Sequence, residues 1–164
     1  MTAENVGRLL EIQRRSYRDA SAALRKSWPE EDALDGERLV RLLDEVRYGV
    51  VATGRPDGRA HASPVAFSYE NGAFWIASVE GLRLRNLRAK PWASLVVTEG
   101  QDEASHRALT AEGAVRLHDG VDFASVRGRL ADHWIARHRQ LPDWATAFIE
   151  LIPERVFSHA GRHA

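Results

Sequence analysis

The chain has 164 residues, 23 basic and 23 acidic side chains and no cysteine. That length can bury a core of its own, and the missing thiols exclude disulfides, thiolate nucleophiles and cysteine-held metals. Balanced charge leaves no overall field to draw the chain to nucleic acid or an anionic membrane.

No apolar run approaches the roughly 20 residues of a membrane span, and the start MTAENVGRLLEIQRR has no signal-peptide centre, so a cytoplasmic protein is expected. Val6, Leu9, Leu10 and Gln13 form a short stripe at helical spacing that should run until Trp28-Pro29 stops it. A second helix is expected from Asp35, with Leu39, Val40, Leu42, Leu43 and Val46 on its apolar face.

After Tyr48-Gly49 the period changes to alternation. Strands are expected at Val50–Thr53, Ala60–Tyr69 and Phe74–Val79, the last two joined by Asn71-Gly72 as a hairpin turn. EGLRLRNLRAKP reads as a short helix with Leu84 and Leu87 inward and Pro91 at its end. Further strands follow at Ala93–Thr98 and at Arg107–Leu117, the latter with a possible bulge at Gly113. A helix over Asp122–His138 leads to a last strand, Phe148–Phe157, interrupted by Pro153. The fold expected is α+β, mainly β: a small six-stranded antiparallel barrel with flanking helices.

Motifs for metal, hydrolytic or triphosphate chemistry are absent. His133 and His138 are five apart, on different sides of a helix, and no His-Glu-x-x-His occurs, so no metal is expected. There is no Gly-x-Ser-x-Gly elbow and no P-loop.

Two features do suggest a ligand. Arg83, Arg85, Arg88 and Lys90 follow a strand and open a helix, where free N–H groups and the helix dipole favour an anion such as a phosphate monoester. Residues two apart on a helix point about 200° apart, which makes Arg83, at the first turn, the candidate and leaves Arg85 and Arg88 to solvent. The second feature is a bare strand face. Ala60, Ala62, Pro64, Ala66 and Ser68 point one way, while His61, Ser63, Val65, Phe67 and Tyr69 point the other and read as core. A face of such small residues can abut another sheet closely or leave room for a flat ligand.

GVVATGRPDGRAHASPVAFSYENGAFWIAS, followed by EGLRLRNLRAKPWASLVV, resembles the pyridoxamine 5'-phosphate oxidase-like family of FMN-binding split β-barrels. The shared order is a strand, a Pro-Asp-Gly turn, a strand with Ser-Pro-Val, a hairpin, a basic residue, Arg-Asn-Leu, a proline and a Ser-Leu-Val strand. The likeness is clear over Tyr48–Thr98 and fainter over Arg107–Leu117 and Ile149–Phe157. It implies a helical extension over residues 1–34, an FMN-binding split-barrel domain over 35–164, and a homodimer with two flavins at its interface. Carried over by position, Ser63, Pro64, Val65 and Ala66, with Ile76, Ala77 and Ser78 on the next strand, would contact the flavin, and Arg83 would hold its phosphate.

Departures from that pattern narrow the activity. Ser63 and Ser68 stand where the vitamin B6 oxidases carry an arginine and a lysine for the phosphate, Gly81 replaces a common serine, and the oxidases' C-terminal ending is missing. The function expected is an FMN-binding oxidoreductase that passes hydride or electrons to a small-molecule substrate, and oxidation of pyridoxamine phosphate is not expected. One alternative is a reductase using the deazaflavin coenzyme F-420, whose acidic tail would need a basic groove from Arg83, Arg85, Arg88, Lys90, Arg14, Arg15 and Arg18. Another is a flavin-binding or stress-related protein without catalysis. No side chain stands out as catalytic; His61 is the best candidate proton donor, although strand parity groups it with the core.

Overall fold

The computed structural model describes residues 1–102 and 104–161. Thr2 accepts a hydrogen bond from the Asn5 N–H and opens helix α1 (Ala3–Arg18). The helix does not continue to Trp28. It stops at Asp19, and Ser21 accepts from the Leu24 N–H to start a separate short helix, α2 (Ala22–Ser27), because a serine hydroxyl competes better at a cap than inside a helix. Asp35 caps α3 (Gly36–Glu45) by accepting from the Arg38 N–H, as the sequence led one to expect.

Six strands follow: β1 (Tyr48–Gly54), β2 (Ala60–Glu70), β3 (Ala73–Ser78), β4 (Trp92–Glu99), β5 (Arg107–Asp119) and β6 (Ala147–Ala160). Helix α4 (Leu82–Ala89) lies between β3 and β4, and α5 (Val121–His138) between β5 and β6. The strands close a barrel in the order β1-β2-β3-β6-β5-β4, with every pair antiparallel. Asn71 and Gly72, at φ 53° and 81°, make the two-residue turn that fits the twist of the β2–β3 hairpin. Alternate residues fill the interior, among them Val65, Phe67, Phe74, Ile76, Leu95 and Leu109, joined by Leu84 and Leu87 of α4, Leu9 of α1 and Leu39 and Leu42 of α3.

The bulge predicted at Gly113 lies on the other strand. Glu112 pairs with Arg155 and Gly113 with Pro153, so Glu154 is the extra residue, and β6 runs on past Pro153 to Ala160 without a break. Pro153 has no N–H to give the ladder and therefore sits at the irregularity. Gly113 is needed because a Cβ there would collide with the Ile152 carbonyl.

A polar network ties α1 to β6. Gln13, predicted within an apolar stripe, is buried; its amide donates to the Leu34 carbonyl (2.9 Å) and its Oε1 accepts from Ser158 (2.6 Å). The Ser158 hydroxyl also accepts from the Leu34 N–H (2.8 Å), and Tyr17 donates to the Ser158 carbonyl. Outside the barrel, α5 covers β3: Val126, Leu130 and Trp134 pack on Ala73, Trp75, Ala77 and Phe148. This helix explains half of the bare β2 face. Ser68 is sealed and Ala66 partly covered, whereas Ala60, Ala62 and Pro64 stay exposed. Among the described residues no helix is long and apolar enough to cross a membrane.

Candidate functional site

Where α5 ends, the β2 face opens into a cleft of about 350 Å³, within the range of small-molecule sites. Its floor is Pro64 and Ala66 of β2 with Ala77 of β3, and Val65, whose side chain fills the barrel interior, borders it from behind. One wall is Trp134 and His138 of α5 with Gln140, Pro142 and Trp144 of the loop to β6. Tyr48 lies at the rim and Arg83 also lines the cleft. Tyr48 and Trp144 are 67% and 55% exposed, so two aromatic faces stand open to solvent beside the cleft.

Arg83 sits in the first turn of α4, behind Gly81, which supplies no side-chain cap to the helix N-terminus. Its guanidinium donates from Nη1 to Ser63 Oγ (3.0 Å) and from Nε and Nη2 to Ser78 Oγ (3.3 and 3.2 Å). These serines aim the group, and Ser78 in turn donates to the Val79 carbonyl. Among the described residues no carboxylate pairs with Arg83, and burial pushes its pKa down. Partial burial without a counter-charge is unfavourable for a cation, which favours an anion beside it. Arg88 differs: both its terminal nitrogens reach Glu80 (2.7 and 2.8 Å), and Asp119 takes a third bond (2.9 Å).

The predicted site residues therefore fall into three groups. Pro64, Val65, Ala66, Ala77 and Arg83 line the cleft, and Ser63 and Ser78 hold Arg83 in place. The Ile76 side chain is fully buried in the barrel interior, because odd and even positions of β3 face opposite sides, so only its backbone is on hand. His61 is not among the lining residues. Ser68 is 1% exposed opposite Trp75, and among the described residues its hydroxyl has no partner; it does not line the cleft either. Asn86 of the Arg-Asn-Leu stretch is buried and donates to Thr53 Oγ1 (3.0 Å), locking α4 to β1.

Among the described residues, Arg83 alone of those expected to build a broad basic groove lines this cleft. Arg88 is already paired, Arg15 donates to the Glu154 carbonyl on the distal half of β6, and Arg14, Arg15 and Arg18 contribute nothing to the cleft. The wall built by α5 was missed altogether. Its one sequence signal is Trp134 and His138 at i, i+4 spacing, whose tilted rings pack with centroids 4.5 Å apart. His138 donates from Nε2 to the Phe67 carbonyl (3.0 Å), and burial pushes its pKa down to about 4.

Solved structures share this fold. A conserved hypothetical protein from Mycobacterium tuberculosis superposes with a TM-score of 0.67 at 17% identity, covering 80% of this chain and 89% of that one. An FAD-binding protein from Mesorhizobium loti gives 0.61 at 20% identity, over 77% and 93% of the two chains. The heme storage protein HutZ from Vibrio cholerae gives 0.61 at 18% identity, over 78% and 97%. At these identities the likeness is one of fold. No curated protein matches the chain by sequence. The family model described as pyridoxamine 5'-phosphate oxidase matches residues 36–160, barrel and cleft included, and the chain belongs to that family.

Proposed function

We propose that the chain binds FMN in this cleft and serves as a flavin-dependent oxidoreductase acting on a small molecule. The observation that carries the reading is Arg83, a half-buried cation without a carboxylate partner, steered by two serine hydroxyls toward a cleft floored by small side chains. Arg83 and the uncapped N–H groups of α4 would hold the phosphate. Pro64, Ala66 and Ala77 offer a flat floor to the ring, and Tyr48 and Trp144 offer aromatic cover at its edges. A bound flavin supplies the capacity to take up and pass on a hydride or single electrons, while the protein positions it and tunes its ring.

The proposal includes a homodimer. Tyr48 and Val50 of β1 and Trp92 of β4 are exposed, Val50 stands opposite Pro64, and Ala52 stands opposite Ala62. This apolar strip borders the cleft, so a second copy seated on it would close the open side over the ring. Oxidation of pyridoxamine phosphate is not part of the proposal. Among the described residues the cleft offers one cation without a carboxylate partner, Arg83, which is enough for the flavin's own phosphate and leaves none for a phosphorylated substrate.

Titration of the purified protein with FMN and with riboflavin tests the reading. Tighter binding of FMN, with visible bands displaced from those of free flavin, is the expected result. Equal affinity for both, or none, would contradict it.

A further inference from the structure

The wall of the cleft opposite β2 holds a histidine whose chemistry is fixed by its neighbours. Helix α5 ends at His138, and Arg139 turns the chain sharply at φ 67°, so the imidazole is anchored where helix gives way to loop. Trp134 packs against the ring at a tilt of 37°. Nε2 lies 3.0 Å from the Phe67 carbonyl, which can only accept, so Nε2 carries the proton of this contact.

Nδ1 is left over. It makes no hydrogen bond to the protein among the described residues, and it is not sealed from solvent. Burial and the neighbouring Arg137 and Arg47 disfavour a charged ring and hold its pKa near 4, so Nδ1 carries a lone pair at neutral pH. His138 lines the cleft, and Nδ1 is the ring nitrogen it has left to accept a hydrogen bond there.

Its position relative to Arg83 defines what it could read. Ser63 holds Arg83 and Phe67 holds His138, and four residues of extended strand separate those anchors by about 13 Å. That span suits a ligand with an anionic group at one end and a planar ring at the other. We propose that His138 is a specificity-determining residue, with Nδ1 accepting a hydrogen bond from a ring N–H on the edge of the bound heterocycle. The proposal rests on the flavin reading of the cleft, in which the ring offers N3–H between two carbonyls.

The test compares FMN with its N3-methyl analogue, which lacks that donor, on the wild-type protein and on His138→Ala and His138→Gln. Wild type should bind FMN about tenfold more tightly than the analogue, the worth of one buried hydrogen bond. His138→Ala should lose that preference, and His138→Gln, whose amide oxygen can still accept, should keep part of it. The Phe67 carbonyl retains a bond from Arg137 Nε (2.7 Å), so the alanine variant should melt close to the wild type. Equal binding of FMN and the analogue by wild type would overturn the assignment and leave the flavin reading intact, as would an alanine variant that still discriminates. Failure of wild type to bind FMN at all would overturn both readings. Should His138→Ala fail to fold, the wild-type comparison and His138→Gln decide the matter.

Discussion

Replacing Arg83 with alanine removes the group on which anion binding depends. A charge-assisted hydrogen bond contributes about 1.5–3 kcal/mol, and loss of one from Arg83 to a phosphate should weaken FMN by that amount, roughly 10- to 150-fold in Kd. Folding should suffer much less. Arg83 has no carboxylate partner among the described residues, Ser78 keeps its bond to the Val79 carbonyl, and Ser63 remains partly open to water. The stability change should stay within about 1 kcal/mol, a shift of a few degrees in Tm for a chain of this size. Quenching of flavin fluorescence measures the affinity, with riboflavin as the phosphate-free control. The expected pattern is a large loss for FMN and little change for riboflavin. Unchanged FMN affinity would refute the role of Arg83, and an equal loss for both ligands would show that the variant had damaged the ring site instead.

Three further outcomes follow from the packing. Ser158→Ala would orphan Gln13 Oε1 and the Leu34 N–H inside the α1–β6 network, and should cost about 2–3 kcal/mol in urea unfolding. Gly113→Ala would drive a methyl group into the Ile152 carbonyl and should destabilise by about 3 kcal/mol or more, whereas Gly58→Ala, in open space at a turn, should cost less. The third concerns pH. His138 has its folded pKa lowered to about 4 from 6.5, so between those values the unfolded chain binds more protons and stability falls as pH falls. The full effect is up to about 3 kcal/mol, seen as a lower urea midpoint at pH 4.5 than at pH 7 and a flatter profile for His138→Gln. Arg59 and Arg88 hold the Asp57 and Glu80 carboxyls below their ordinary values, so their contributions also fade as pH falls, and the comparison with His138→Gln isolates the histidine.

Local chemistry was legible where one residue type dictates one geometry. Asn71-Gly72 is a turn because both positions need positive φ, and Asp35 starts a helix because its carboxylate can take an N–H from the first turn. Arg83 could be singled out from helix geometry alone, and its two serine partners lie on strands already identified as flanking the site. What stayed hidden depends on long-range placement. The apolar face of α5 announces a partner but not which side of the barrel it covers, so the shielding of Ser68 and the wall formed by Trp134 and His138 were invisible. The bulge was assigned to the wrong strand because a glycine can either form an irregularity or make room for one. Gly113 does the second, for the extra residue beside Pro153. Gln13 reads as a stripe residue by spacing, and only the arrival of Ser158 from the far end of the chain turns it into a buried hydrogen-bonding post.

The measurement that bears most directly on the central claim is an absorption titration of the purified 164-residue chain with FMN, run beside the deazaflavin and riboflavin. A saturable displacement of the flavin bands at one FMN per chain, stronger than for either competitor, is the expected result. Absence of any saturable change with FMN would contradict the claim that this cleft is a flavin site.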